Sequence, residues 1–159
     1  MSESYNAEKI NAVWNRVAAA QEPGTPAQDE GQMLRSFMDG AAADEADYRT
    51  MARACRDQTN RRLFSAAAAA KARSLRALQA AYFARMGDSY VPYAVRQPFT
   101  GLLSALRARY AKERMRLQAY TQAAQNTGDP QLEKLFRTLA GDAQQRLDAI
   151  DGVLLRLMR

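Results

Sequence analysis

The chain has 159 residues, 47% of them apolar, which fits a single domain with a real hydrophobic core. The chain has one cysteine, Cys55, which excludes an intrachain disulfide. We find neither a signal peptide nor an apolar run of the roughly 20 residues that span a bilayer. We therefore expect a cytoplasmic protein with no membrane segment. The net charge of +6 permits binding to nucleic acid or to an acidic protein, but charge alone identifies no site.

The first predicted element is a short amphipathic helix near the start of the chain. Its apolar residues fall on one helical face, and they are Ile10, Val13, Trp14 and Val17. Residues 22–26 have the sequence EPGTP, which ends the helical pattern. We therefore assign residues 1–27 to this helix and a linker, and residues 28–159 to a helical bundle. The apolar face of the helix needs cover, which favours an unknown protein partner or a homodimer.

Two long helices are predicted next, and they form a hairpin. The first covers residues 29–57, because apolar or small residues recur in steps of three and four at Leu34, Met38, Ala41, Tyr48, Ala52 and Cys55. The second covers residues 60–86 and ends at Gly87, a residue that readily takes the left-handed conformation that closes a helix.

A connection without helical periodicity follows at residues 88–98. It contains two prolines, and ten or so extended residues span about 35 Å, nearly the length of a long helix. The third helix is predicted at residues 99–126, and the fourth begins at Pro130 after the turn sequence NTGDP. Their inward positions are Leu102, Leu106, Tyr110, Leu117, Tyr120 and Ala124 in the third helix, and Leu132, Phe136, Leu139, Ile150, Val153 and Leu157 in the fourth.

The sequence matches itself when it is shifted by 72 positions. The first-half residues of the match are Leu34, Arg35, Tyr48, Ala52, Asp57, Leu63, Phe64, Ala68 and Leu75, and they recur as Leu106, Arg107, Tyr120, Ala124, Asp129, Leu135, Phe136, Ala140 and Leu147. Such a repeat predicts two copies of a helical hairpin. Because each hairpin leaves an amphipathic face uncovered, we expect an all-α, antiparallel four-helix bundle with a long crossover between its second and third helices.

Residues 33–158 resemble the ferritin-like superfamily, particularly the short rubrerythrin-like bacterial proteins. The resemblance is carried by LRSFMDGAAADEADYRTMA, by LRALQAAYF followed by GDSYVP, by YAKERMRLQAYTQAA and by LEKLFRTLAGDAQQR, in this order and spacing. It implies a ferritin-like bundle. In metal-binding members, each hairpin supplies a glutamate seven residues before a core tyrosine and then an ExxH pair, and these six ligands hold two iron ions.

The ligand pattern of that family is almost entirely lost in this chain. The equivalent positions hold Ala41, Lys71 and Ser74 in the first hairpin and Glu113, Ala143 and Arg146 in the second. Only Glu113 matches, and the chain contains no histidine that could restore an ExxH pair. The resemblance therefore implies a bundle with a degenerate di-iron site, no cofactor and no catalytic residue.

Three charged residues fall at the former ligand positions, and all three point towards the predicted core. Because an unpaired buried ion costs several kcal/mol, we predict that Lys71 and Arg146 bridge Glu113, with Glu45 balancing the second positive charge. The small neighbours that leave room for these side chains are Ala41, Ser74 and Ala143. The alternative is that Lys71 and Arg146 lie at the edge of the core and extend their charged ends into water.

The remaining polar features fit structural roles. Tyr48 and Tyr120 occupy equivalent core positions, where we expect the hydroxyl groups to bond neighbouring acids. Cys55 lies beside two arginines but has no partner for redox or nucleophilic chemistry, so we expect it to be packed. The basic residues of the third helix are Arg107, Arg109, Lys112, Arg114 and Arg116, and acids are interspersed among the basic groups, so we expect a solvated surface.

The function predicted from these observations is a non-catalytic scaffold or interaction protein whose partner is unknown. Two alternatives stay open. The first is a basic protein that associates with nucleic acid without regard to sequence, which would be sensitive to salt. The second is a residual metal-binding oxidoreductase that uses only carboxylates.

Overall fold

The computed structural model describes residues 26–159 and contains four helices in this part of the chain. They are α1 (Pro26–Ala54), α2 (Gln58–Met86), α3 (Leu102–Asn126) and α4 (Pro130–Leu157). Residues 34–159 form one compact unit, which contains most of α1 and all of α2, α3 and α4. The predicted four-helix bundle is therefore confirmed, whereas the predicted helix at residues 10–17 lies outside the described residues.

The second helix of each hairpin is started by an aspartate. Asp57 accepts a hydrogen bond from the backbone N–H of Asn60 at 2.8 Å, and Asp129 accepts from the N–H groups of Gln131 and Leu132 at 2.8 and 3.0 Å. These bonds satisfy amide groups that have no partner within the helix. The two caps lie at equivalent positions of the repeat, so the same local signal begins α2 and α4.

The helix ends differ from the predicted ones by a few residues, for local reasons. The first helix ends at Ala54, three residues before the prediction, because Asp57 has already become the cap of α2. The third begins at Leu102, since Gly101 has a φ of 146° that no helix accommodates. Gly87 closes α2 as predicted, with a φ of 73° in the left-handed region.

The core has two apolar layers with a polar level between them. The layer at the α1–α2 turn contains Tyr48, Met51, Ala52, Cys55, Phe64, Ala67, Ala68, Leu106, Ile150 and Val153. At the other end, the Phe37 ring lies edge-on to Tyr120 at 4.8 Å and to Phe136 at 5.7 Å, measured between ring centroids. Since Phe37 precedes Tyr48 in α1 but contacts a residue late in α3, these two helices are antiparallel.

Residues 87–101 connect α2 to the start of α3 at the opposite end of the bundle. The Tyr90 hydroxyl donates to both carboxylate oxygens of Asp39 at 2.9 and 3.0 Å, and the backbone N–H of Tyr93 donates to Asp39 at 2.8 Å. The guanidinium of Arg35 lies 5.4 Å from the Tyr90 ring and 5.5 Å from the Tyr82 ring. These contacts hold the crossover against α1. Because α1 is antiparallel both to α2, its hairpin partner, and to α3, the helices α2 and α3 run in the same direction.

Candidate functional site

Four charged side chains are buried together at the level between the two apolar layers. Asp44 and Glu113 are completely buried, Arg109 is 2% exposed and Lys71 is 6% exposed. Charged side chains are almost never buried to this degree unless they are paired. We call these four residues the central ion network.

Each member is placed by the apolar residues of its own helix. Asp44 lies one turn before Tyr48 on the core face of α1. Lys71 lies between Phe64 and Leu78 on α2, both of which are fully buried. Arg109 and Glu113 are one turn apart in α3, between the buried residues Leu106 and Tyr120. The apolar residues turn one face of each helix towards the core, and the charged residues lie on the same faces. The four charged groups therefore meet in the centre of the bundle.

Glu113 accepts bonds from three neighbours. The Tyr48 hydroxyl donates to Oε1 at 2.7 Å, and Nη2 of Arg109 donates to the same oxygen at 3.1 Å. Nζ of Lys71 lies 3.1 Å from both Oε1 and Oε2. Each carboxylate oxygen has about two lone-pair sites, so Oε1, with three of these contacts, is saturated, whereas Oε2 has one contact.

Asp44 is surrounded by cations in the same way. Its Oδ1 accepts from Nη1 of Arg109 at 2.9 Å and from Nη2 of Arg116 at 3.2 Å. Its Oδ2 accepts from Nε of Arg116 at 2.9 Å and lies 3.3 Å from Nζ of Lys71. Gly40 allows the Arg116 approach, because a Cβ at this position would lie 2.7 Å from Cζ of Arg116. Each oxygen of Asp44 therefore has two contacts to cationic donors.

Arg109 joins the two buried acids and also reaches the edge of the bundle. Its guanidinium carbon lies 4.6 Å from the centre of the Tyr48 ring, a distance at which a cation is attracted by the ring face. Nη1 also donates to Asp47 at 3.2 Å, and Lys112 donates to the same Asp47 oxygen at 3.2 Å. The Nε of Arg109 is buried without a hydrogen-bond partner.

The charges of the extended network do not quite cancel. The four buried groups contribute two negative and two positive charges. Asp47, Lys112 and Arg116 at the edge add one negative and two positive charges. Three carboxylates therefore face four cationic side chains, and one positive charge is left over on the side of Lys112 and Arg116.

Burial and charge act in opposite directions on the pKa values of the network. Burial by itself raises the pKa of Asp44, but the charges of Arg109 and Lys71 and the bond from Arg116 outweigh it, so that the pKa is held well below its ordinary value. Burial lowers the pKa of Arg109, but Asp44, Tyr48 and Glu113 raise it by more, so the pKa of Arg109 lies above its ordinary value. Burial raises the pKa of Tyr48, which keeps its hydroxyl protonated as a donor to Glu113. Asp44 and Arg109 are therefore both charged at neutral pH.

The structure brings only part of the predicted ion cluster together. Lys71 and Glu113 are in direct contact, and Tyr48 bonds Glu113. Tyr120 is 3% exposed and packs against Phe37, and burial raises its pKa. The three small residues of the prediction are Ala41 and Ala143, both buried, and the half-buried Ser74.

Arg146 and Glu45 do not take the places that the sequence suggested. Arg146 is half-buried, no ion pair of the described residues includes it, and its Nε is buried without a partner. Arg109 bonds Oε1 of Glu113 instead, because it lies one turn away on the same helix. Glu45 pairs with Arg49 on α1, and Asp44 is the acid that balances the second cation.

The residues at this level do not fit a di-iron centre. Among the described residues, no group of three or more His, Cys, Asp or Glu side chains is placed to hold a metal ion. The two buried carboxylates have their oxygen atoms occupied by cationic donors, and the ammonium of Lys71 lies between Asp44 and Glu113. A metal ion at this level would lie against the ammonium of Lys71 and the guanidinium of Arg109, whose like charges oppose its binding.

Two members of the network, Asp44 and Arg109, could not be recognised from apolar spacing. The sequence pattern pointed to Tyr110 on α3 as a core residue, but Arg109 is buried and Tyr110 is half-buried. The available signal was the spacing of charges, since Arg109 and Glu113 are four residues apart and form a pair along one helix face.

Among residues 26–159, no helix combines the length and apolar content that a membrane span requires. Comparisons of the chain with models of protein families, with curated proteins and with solved structures found no match. A function for this chain must therefore be argued from the geometry of its own residues.

Proposed function

We propose that this chain is a ferritin-like bundle in which buried ion pairs replace the di-iron centre, and that it serves as a non-catalytic scaffold or interaction protein. The observation that carries the proposal is the occupation of both buried carboxylates by cations. Asp44 and Glu113 are the only fully buried acids among the described residues, and each has four contacts to donor groups. A metal ion at this level would meet the positive charges of Lys71 and Arg109 beside both carboxylates.

The connectivity supports the ferritin-like part of the proposal. Two hairpins with short turns are joined by a crossover, residues 87–101, that runs along α1 from Asp39 to the start of α3. One long crossover between two hairpins is the arrangement that distinguishes ferritin-like bundles from simple up-and-down bundles. The equivalent caps Asp57 and Asp129 support the duplication.

The ion network is suited to specifying a structure rather than to a reaction. It contains no neutral base and no nucleophile beside an open space. Burying an ion pair adds little to stability by itself, but breaking such a pair is strongly destabilising. Its physical effect is to accept only the arrangement of helices in which all four charges are paired, which gives a rigid platform for binding.

The geometry weakens the case for nucleic-acid binding. Three of the five basic residues of α3 take part in the network, namely Arg109, Lys112 and Arg116. Each is bound to a carboxylate of α1, and Arg109 and Arg116 direct their donors to the buried Asp44, so that of the three only Lys112 keeps most of its donors accessible. A basic stripe along α3 would need these side chains to be free for phosphate groups.

The proposal is tested by metal analysis of protein purified without chelator. We expect substoichiometric iron, manganese and zinc, no change in thermal unfolding temperature when Mn(II) or Fe(II) is added, and Fe(II) oxidation no faster than in buffer. The Glu113→Gln variant is the control, since it removes the one remaining family ligand. A stoichiometric metal that this variant no longer binds would overturn the proposal.

A further inference from the structure

A cleft of about 340 Å³ lies between the crossover and the edge of α1 and α3. Its apolar walls are formed by Met51, Pro98, Phe99, Ala105 and Ala108. The cleft runs along α3 from Ser104 to Lys112, a distance of about 12 Å at the rise of an α-helix. This volume is at the lower end of the range for pockets that bind small molecules.

One end of the cleft is polar and positively charged. Asp47, Arg109 and Lys112 line it, and Asp47 accepts bonds from both cations. This is the side of the ion network that carries one uncompensated positive charge. The cleft therefore joins an apolar wall to a cationic end.

The cationic end has donor groups that the protein does not use. Lys112 makes one hydrogen bond, to Asp47, and its side chain is 35% exposed, which leaves two N–H donors accessible. Arg109 is 2% exposed and its Nε has no partner. At the other end, the apolar ring of Phe99 remains 38% exposed. One end of the cleft thus has N–H donors without an acceptor, and the other has apolar surface exposed to water.

We propose that this cleft binds a small monocarboxylate with an apolar tail. The carboxylate pairs with the free N–H donors of Lys112 and neutralises the uncompensated charge, while the tail covers Phe99 and packs against Ala105 and Ala108. A cationic ligand would meet Arg109 and Lys112 with a like charge, and the one acid at this end, Asp47, is already bound to both. A neutral ligand would leave the charge of the network unmatched. Ligand binding and metal content are measured separately, so this inference and the proposed function fail separately.

Octanoate is the probe for the test, with 1-octanol and octylamine as matched neutral and cationic compounds. Binding is measured by calorimetry and by amide chemical shifts in ¹⁵N-labelled full-length protein. We expect octanoate to bind with the largest shifts at Thr50, Ser104, Ala108 and Lys112. We expect 1-octanol to bind at least ten times more weakly and octylamine not at all.

Two variants separate the charged and apolar contributions. Lys112→Met is expected to weaken octanoate binding at least tenfold without changing the binding of 1-octanol. Ala108→Phe is expected to fill the cleft and abolish binding of both, whereas Ala111→Phe, at an exposed position of α3 outside the cleft, leaves both unchanged. Thermal unfolding establishes that each variant is folded. Equal affinity for octanoate and 1-octanol, or octanoate binding that survives both Lys112→Met and Ala108→Phe, would overturn the proposal.

Discussion

Replacing Glu113 with glutamine tests the central ion network with almost no change in volume. Glu113 receives contacts only from donors: the Tyr48 hydroxyl, Nη2 of Arg109 and the ammonium of Lys71. The amide NH₂ of a glutamine would also be a donor. In either orientation of the amide, this group faces Lys71, and in one of them it also faces Tyr48 and Arg109.

The expected cost of Glu113→Gln is large because the site is dry. Glu113 and Asp44 are 0% exposed, so the lost negative charge leaves Lys71 and Arg109 with one fully buried counter-ion instead of two. Removing one partner of a buried pair costs about 3–5 kcal/mol. For a domain of this size, that corresponds to a fall in unfolding temperature of about 6–20 °C. It is a large share of a typical stability of about 5–15 kcal/mol.

Urea unfolding followed by circular dichroism measures this cost, and Glu133→Gln is the matched control. Glu133 forms the same kind of pair along one helix, with Arg137, but the two side chains are 43% and 60% exposed. An exposed pair of this kind contributes less than about 1 kcal/mol. If Glu113→Gln and Glu133→Gln destabilise the protein equally, Glu113 is not part of a buried ionic network.

The double variant Lys71→Met/Glu113→Gln makes the argument more specific. Each single change leaves an unequal number of buried charges, but together they leave Asp44 paired with Arg109. The double variant should therefore lose less stability than the sum of the single changes, by about 0.5–3 kcal/mol. Strict additivity would mean that Lys71 and Glu113 do not interact in solution.

Three further predictions concern the surroundings of the network. The folded-state pKa of Asp44 is held below its ordinary 3.8, so the contribution of Asp44 to the free energy of unfolding is fully present above that pH and is lost as the pH falls below it. In urea unfolding from pH 5 to pH 2, the parent should therefore lose stability more steeply than Asp44→Asn. Parallel curves for the two proteins would contradict this. Tyr48→Phe removes a donor to a buried carboxylate and should cost about 1.5–3 kcal/mol in the same assay, whereas no loss would mean that the hydroxyl is unbonded. Gly141→Ala, where the new methyl group enters open space on α4, should raise stability by about 0.5–1 kcal/mol. Gly40→Ala should gain less, because its methyl group displaces Arg116. Equal gains would refute the close approach of Arg116 to Gly40.

The helices and their ends could be predicted because their signals are local. Apolar residues at steps of three and four indicated the four long helices, and Gly87 and Pro130 marked two of their ends. The repeat pointed to two hairpins without any knowledge of how they pack. Each of these features depends on residues within a few turns of one another, which a single sequence displays directly.

The composition of the ion network could not be predicted in full, because helical spacing leaves a choice between neighbouring residues. Steps of three and four are both compatible with a 3.6-residue period, so Asp44 and Glu45 were both possible inward positions on α1, and Arg109 and Tyr110 on α3. A preference for apolar core residues selects Tyr110 over Arg109. The structure instead buries Arg109 together with Asp44 at 2.9 Å, since each removes the penalty of burying the other. Such a choice depends on two helices at once, and neither helix reveals it alone.

The repeat also explains how the network can select the correct pairing of hairpins. Asp44 and Arg116 are 72 residues apart, so they occupy equivalent positions in the two hairpins, and they bond each other. If two copies of the first hairpin packed together instead, Asp44 would lie opposite a second Asp44, and two second hairpins would bring Arg116 against Arg116. Because like charges in a buried site are strongly unfavourable, the difference in sign between the two halves favours the pairing of a first hairpin with a second one and disfavours the exchange of identical hairpins between molecules.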